Sequence, residues 1–194
     1  MMTRYTDRGM TLVELLIVMV ILSVLLAIAV PNFANIITRN QITSSTSDFV
    51  SSLRVAKAES SAKMQTVVVC IRNGSTCNAT NGTSAWNNGW LVFMDENDNA
   101  QFDNDEVILD QYDAFTRQIT FTGTATDEDD NEIAIRSIQF TPAGRATLTS
   151  SVGANFTGET AFAMCSEDQV IRRGIFVTAA GHSSATYRIE EGDC

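Results

Sequence analysis

The sequence predicts an α+β protein: a long N-terminal helix whose second half packs against antiparallel β-sheets. Three observations predict it. An apolar run fills residues 10–30, with Glu14 its only charge and Thr11 and Ser23 its only other polar side chains. Beyond Pro31, the residues Ile42, Thr46, Phe49, Leu53, Ala56, Ser60 and Met64 recur every three or four positions, which is one face of an amphipathic helix. After Met64 the chain changes to short β-branched and aromatic runs split by Gly, Asn, Asp and Ser, the texture of antiparallel strands and turns.

The apolar run comes first. At about 1.5 Å per residue its length matches a hydrocarbon core of about 30 Å, so it can span a membrane. A carboxylate in such a segment is expensive and marks a functional position with a partner to be found. Pro31 removes one helical hydrogen bond and favours a kink, yet the amphipathic pattern resumes beyond it. One helix is therefore expected over 10–63. Strands are expected at 66–71, 89–94, 107–109, 119–121, 133–135, 138–140, 146–148, 161–165, 174–177 and 186–189. Residues 74–88 read as loop, Gly144-Arg145 as a β-turn, and Asp127-Glu128-Asp129-Asp130-Asn131 as a solvated acidic turn. Trp86, Trp90 and Phe93 lie near strand patterns and are assigned to the core. The organisation is a short basic leader at 1–9, a membrane segment at 10–30, the amphipathic half of the helix at 31–64 and a β-rich globule at 65–194.

The formal net charge is −10. The leader carries Arg4 and Arg8 against Asp7, so the acidity lies in the rest of the chain. An acidic globule is repelled by phosphate backbones, and DNA is not expected as a partner. The four cysteines, Cys70, Cys77, Cys165 and Cys194, all follow the apolar run. In an exported domain an even count indicates disulfides, and four cysteines allow three pairings. The favoured pairing is Cys70–Cys77, closing a short polar loop, and Cys165–Cys194, tying the last residue to a strand. Zinc is the rival reading, but Cys70 and Cys77 lack ligand spacing and His182 is the single histidine.

Basic residues just before an apolar span keep that end in the cytoplasm. The junction Arg8-Gly9-Met10-Thr11-Leu12-Val13-Glu14-Leu15 resembles the leader junction of type IV pilins and type II secretion pseudopilins. The resemblance implies cutting between Gly9 and Met10 by a prepilin peptidase and methylation of the new Met10 N-terminus. Glu14 then becomes the fifth mature residue, which in that family pairs with a neighbouring subunit's N-terminus during assembly. Met10 stands where the family usually has Phe. Two other readings are a secretory signal peptide cut after Ala27-Ile28-Ala29 and a plain signal anchor. The run is longer than a usual signal peptide's apolar region and contains Glu14, and neither reading explains the helical pattern past Pro31.

Further stretches narrow the resemblance. These are Gly89-Trp90-Leu91-Val92-Phe93, the segment Ile138-Gln139-Phe140-Thr141-Pro142-Ala143-Gly144-Arg145-Ala146, and Ile171-Arg172-Arg173-Gly174-Ile175-Phe176-Val177 followed by Ala180-Gly181. With the N-terminal junction they are similar to the GspH/FimT family of minor pilins and pseudopilins. That implies a helix wrapped by two β-sheets and a structural role: a minor pilin of a type IV pilus taking part in assembly and its initiation, and so supporting motility, adhesion or DNA uptake. The alternatives are a type II secretion pseudopilin and a DNA-binding pilus subunit. Implied partners are other minor and major pilins, the prepilin peptidase and an inner-membrane assembly platform. The implied location is a single pass in the inner membrane with the globule in the periplasm, then a pilus or pseudopilus.

One loop carries possible metal chemistry. Asp95, Asn97, Asn99, Asp103 and Glu106 place oxygen donors at loop positions 1, 3, 5, 9 and 12, the spacing of a calcium-binding EF-hand loop. Ala100 stands where the sharp turn of that loop wants Gly, and strands rather than helices flank it. The plain reading is an acidic hairpin connection and no cofactor. FimT-type relatives can bind DNA through Gly-Arg-x-Arg near the C-terminus; the matching place reads Gly181-His182-Ser183-Ser184, so both arginines are missing. Arg172, Arg173 and Arg188 remain as a candidate basic patch against the reading of ordinary strand arginines. With one histidine, no nucleophile motif and no glycine-rich phosphate loop, no enzymatic role is expected.

Overall fold

In the structure, a computed structural model, the helix α1 runs from Leu12 to Lys63 without interruption at Pro31. The described residues are 10–77, 86–115, 119–126, 132–150, 155–156, 160–166 and 171–186. The leader, the acidic turn at 127–131, Arg188 and Cys194 lie outside them. The chain divides into two units, residues 1–39 and 40–194. The division falls nine residues after the apolar run, because Phe33, Ile36 and Ile37 are still 46–63 % exposed and burial begins only at Ile42.

Within the second unit, α1 buries the stripe the spacing predicts. Ile42, Thr46, Phe49, Leu53, Ala56 and Ser60 are each at most 1 % exposed. The buried hydroxyls close on nearby acceptors: Thr46 Oγ1 donates to the Ile42 carbonyl at 2.7 Å and Ser60 Oγ to the Lys57 carbonyl at 2.9 Å. Neither therefore carries the cost of about 1–3 kcal/mol for a buried unpaired hydroxyl. Phe49 is the centre of the core. Its ring lies 4.9–5.4 Å from those of Trp86, Trp90, Phe121 and Phe162, in edge-on or tilted arrangements that suit aromatic quadrupoles. Gly123 makes room for this cluster: a Cβ there would run into the Phe162 ring.

Met64 is the exception to the stripe. The spacing places it on the packed face, but it is 73 % exposed with φ 56°. It occupies the left-handed position just past the helix end, and the Gln65 N–H reaches back to the Ser60 carbonyl at 3.3 Å. The reversal turns its side chain away from the core.

The strands are β1 Thr66–Asn73, β2 Thr76–Cys77, β3 Trp90–Asp95, β4 Ile108–Gln111, β5 Ile119–Thr126, β6 Glu132–Phe140, β7 Ala146–Ser150, β8 Asn155–Phe156, β9 Thr160–Ser166, β10 Arg172–Val177 and β11 Ser183–Thr186. A 3-10 turn, Trp86–Asn88, sits in the stretch read as loop. All described pairings are antiparallel, in the order β11-β10-β9-β5-β6-β1-β3-β4. The resemblance implies two sheets; the described strands instead join into one, with β6 as the seam. Its first residues pair with β5, and its last pair with β1 on one side and β7 on the other.

This seam replaces the two strands expected at 133–135 and 138–140. Ile135 and Ile138 are three apart, which breaks strict alternation, yet both are fully buried. A bulge at Arg136 resolves the conflict: Ile135 pairs with Ser150 and Ser137 with Thr149, so both isoleucines face the core. β11 begins three residues earlier than expected, and 187–189 lie outside the described residues.

Candidate functional site

The start of α1 is built as a reciprocal cap. Thr11 donates its backbone N–H and its hydroxyl to Glu14 Oε2, both at 2.9 Å, and the Glu14 N–H donates to Thr11 Oγ1 at 3.2 Å. The Leu15 N–H closes the first turn on the Thr11 carbonyl at 3.2 Å. The pattern Thr-x-x-Glu is a capping box, and it satisfies amides that the first turn leaves without partners. Thr11 was legible as a cap from its spacing to Glu14, a signal the sequence reading passed over in favour of the carboxylate alone. Both bonds use one oxygen, and Glu14 Oε1 accepts none among the described residues. Glu14 is thus held on the helix surface with one oxygen open.

Around it the helix is bare. Every large apolar side chain from Leu12 to Ile28 is 49–74 % exposed, so nothing within the first unit covers it. Among the described residues no helix is long and apolar enough to cross a membrane. The apolar side chains described, 12–28, cover about 26 Å at 1.5 Å per residue, a little under a hydrocarbon core of about 30 Å. The apolar sequence itself continues through Ala29 and Val30.

The loop between β3 and β4 gathers the five oxygen-bearing residues into one tight turn. Asp95 is 2 % exposed and accepts from the Asn99 and Ala100 N–H groups at 3.1 and 2.8 Å. Asn97 and Asn99 donate their Nδ2 groups to Asp103 Oδ2 at 2.8 and 2.9 Å, and their Oδ1 atoms accept from the Asn99 and Gln101 amides. Glu106, 8 % exposed, accepts from the Glu96 and Asp103 amides at 3.0 and 2.9 Å. Burial pushes the Glu106 carboxyl above the usual range; the amides of Asp103 and Glu96 oppose that, and the charges of Asp95 and Asp103 add to it. Ala100 has φ 58°, so it does make the sharp turn despite its Cβ. Each of the five side chains thus accepts at least one hydrogen bond within the loop, and among the described residues no group of three or more Asp, Glu, His or Cys converges as a metal site.

Cys70 and Cys77 are bonded to each other, with Cα atoms 5.7 Å apart, and close the turn between β1 and β2. Cys165 is disulfide-bonded as well; Cys194, its expected partner, lies outside the described residues. Arg172 and Arg173 alternate along β10, and Arg173 is 8 % exposed with its Nη2 donating to Thr43 Oγ1 at 2.9 Å. It therefore braces α1 against the sheet rather than facing solvent. Gly181, with φ 70°, makes the turn between β10 and β11 through its N–H to the Thr178 carbonyl at 2.7 Å.

The sequence profile of the family described as type II transport protein GspH matches residues 45–181, and a prokaryotic N-terminal methylation motif matches residues 4–30. The chain belongs to the GspH family. Both matches reach onto α1: the motif covers its capped apolar start, and the family profile begins at residue 45, where the helix enters the core. Among solved structures the GspH-family chain is similar to the type IV minor pilin FimU of Pseudomonas aeruginosa, at 15 % identity over 76 % of this chain and 90 % of that one, with a TM-score of 0.47. It is also similar to the minor pseudopilin EpsH from the type 2 secretion system of Vibrio cholerae, at 10 % identity over 75 % and 95 % of the two chains, with a TM-score of 0.47. No curated protein matches it in sequence.

Proposed function

We propose that this GspH-family chain is a minor pilin of a type IV pilus. It is inserted in the inner membrane with its globule in the periplasm, cut between Gly9 and Met10, methylated on Met10 and then drawn into a fibre. Its work is structural: it joins the minor pilins that initiate assembly, and it meets the prepilin peptidase and the assembly platform on the way. The observation that supports this most is the capped start of α1: Glu14 lies within the stretch that the methylation motif matches and keeps one oxygen open on an otherwise apolar, uncovered helix. A neighbouring subunit's N-terminal amine supplies the missing positive partner when helices stack, and in a medium that excludes water the attraction fixes axial register.

A second reading is a pseudopilin of a type II secretion system, favoured by the description of the family itself. Deleting the chain in its host separates the two. Loss of sheared surface fibres with secretion intact supports the pilus, whereas loss of protein secretion with fibres intact replaces it with the pseudopilus.

A further inference from the structure

One groove on the globule stands against the charge of the rest of the chain. It has a volume of about 480 Å³ and runs between α1 and the turn joining β10 to β11. Arg54, Lys57 and Ser61, at helical spacing, form one wall; His182 and Ser183 form the other. No carboxylate lines it, in a chain of net charge −10. We propose that this groove binds an acidic peptide segment of a partner protein, its carboxylates meeting Arg54 and Lys57.

The groove is shaped as well as charged. Lys57 Nζ is anchored by donating to the Ala180 carbonyl at 2.7 Å, which leaves two of its N–H bonds for a ligand. Its stem lies over two glycines in left-handed conformations, Gly144 at φ 72° and Gly181 at φ 70°. A Cβ on Gly144 would lie 3.3 Å from Lys57 Cε, and one on Gly181 would lie 2.5 Å from the Gly144 carbonyl oxygen. The backbone turns therefore approach each other closely enough to fix where the ammonium sits. Arg54 is exposed and makes no ion pair among the described residues. Its guanidinium can take a carboxylate through two parallel hydrogen bonds. The hydroxyls of Ser61 and Ser183 add neutral donors on both walls.

The size of the charge set chooses the ligand. A nucleic acid presents phosphates continuously and needs a basic track, which Arg54 and Lys57 alone do not make. A short run of Asp or Glu needs only two or three matched cations in one place. The attraction is local and screened within about 10 Å at 0.1 M salt, so the rest of the acidic surface weakens it little.

The test uses the full chain in detergent micelles with a fluorescein-labelled hexaglutamate, read by anisotropy, and with a labelled oligothymidylate of similar length in parallel. Hexaglutamate is expected to bind, more weakly as salt rises, while oligothymidylate does not. Arg54→Glu, on one wall, and Ser183→Glu, on the other, are each expected to weaken hexaglutamate binding at least tenfold with unchanged melting temperature. No binding to wild type, binding by either variant as tight as wild type, or stronger binding to oligothymidylate would each overturn the proposal.

Discussion

Thr11 and Glu14 hold each other: the threonine gives two hydrogen bonds to one carboxylate oxygen and receives one from the glutamate N–H. The carboxylate is fixed on the helix before any partner arrives, so an incoming amine finds it already oriented.

From this we expect Glu14→Ala to leave cutting, insertion and the globule intact but to lower the amount of the chain in sheared fibres. Glu14→Asp should restore part of it, since the shorter side chain still carries the charge. Thr11→Ala should have a smaller effect, because it frees the carboxylate without removing it. Immunoblots of fibre and membrane fractions check all three, and undiminished incorporation of Glu14→Ala would refute the docking role.

The Cys70–Cys77 bridge closes a short loop, so replacing both residues with Ser should destabilise the globule by about 2–3 kcal/mol. Urea unfolding measures this. Peptide mapping without reduction should recover Cys70 linked to Cys77 and, as proposed for the second bridge, Cys165 linked to Cys194.

Glu106 gives the acid side of the stability profile a definite sign. Its carboxyl is raised in the folded state, chiefly by burial. The contribution is therefore fully present below the unfolded carboxylate value of about 4.3 and is lost as pH rises through the folded value. Glu106→Gln, which cannot ionise, should lose that dependence, so the variant gains on wild type as pH rises from about 4 toward neutrality. Parallel unfolding curves for the two proteins across that range would contradict it.

The same loop makes calcium binding testable. The oxygens that the spacing assigns to an ion accept hydrogen bonds from the loop's own amides, and two asparagine Nδ2 groups point at Asp103. Millimolar calcium is therefore expected to leave the melting temperature unchanged, and Asp95→Ala to lower it with or without calcium, by uncapping two amides. A rise with calcium that Asp95→Ala abolishes would establish an ion there.

The helix and most strands were legible because their signals are periodic. Ile42 to Ser60 write one helical face, and the runs around Val68, Leu91 and Ile175 write buried strands. Where periodicity fails, a single backbone event intervenes: the left-handed turn at Met64 inverts a side chain, and the bulge at Arg136 joins two apparent strands into one. The groove was not legible. Arg54 and His182 are distant in sequence, and only the approach of the β10–β11 turn to α1 sets them on facing walls. Arg173 misled for the opposite reason, since a run of arginines gives no sign that one of them is turned inward to Thr43.

Intact-mass analysis of the chain extracted from membranes tests the central claim most directly. The account predicts a protein that begins at Met10, carries one added methyl group and lacks four hydrogens for two disulfides. A chain beginning at Val30, or one that keeps residues 1–9 without a methyl group, would contradict it.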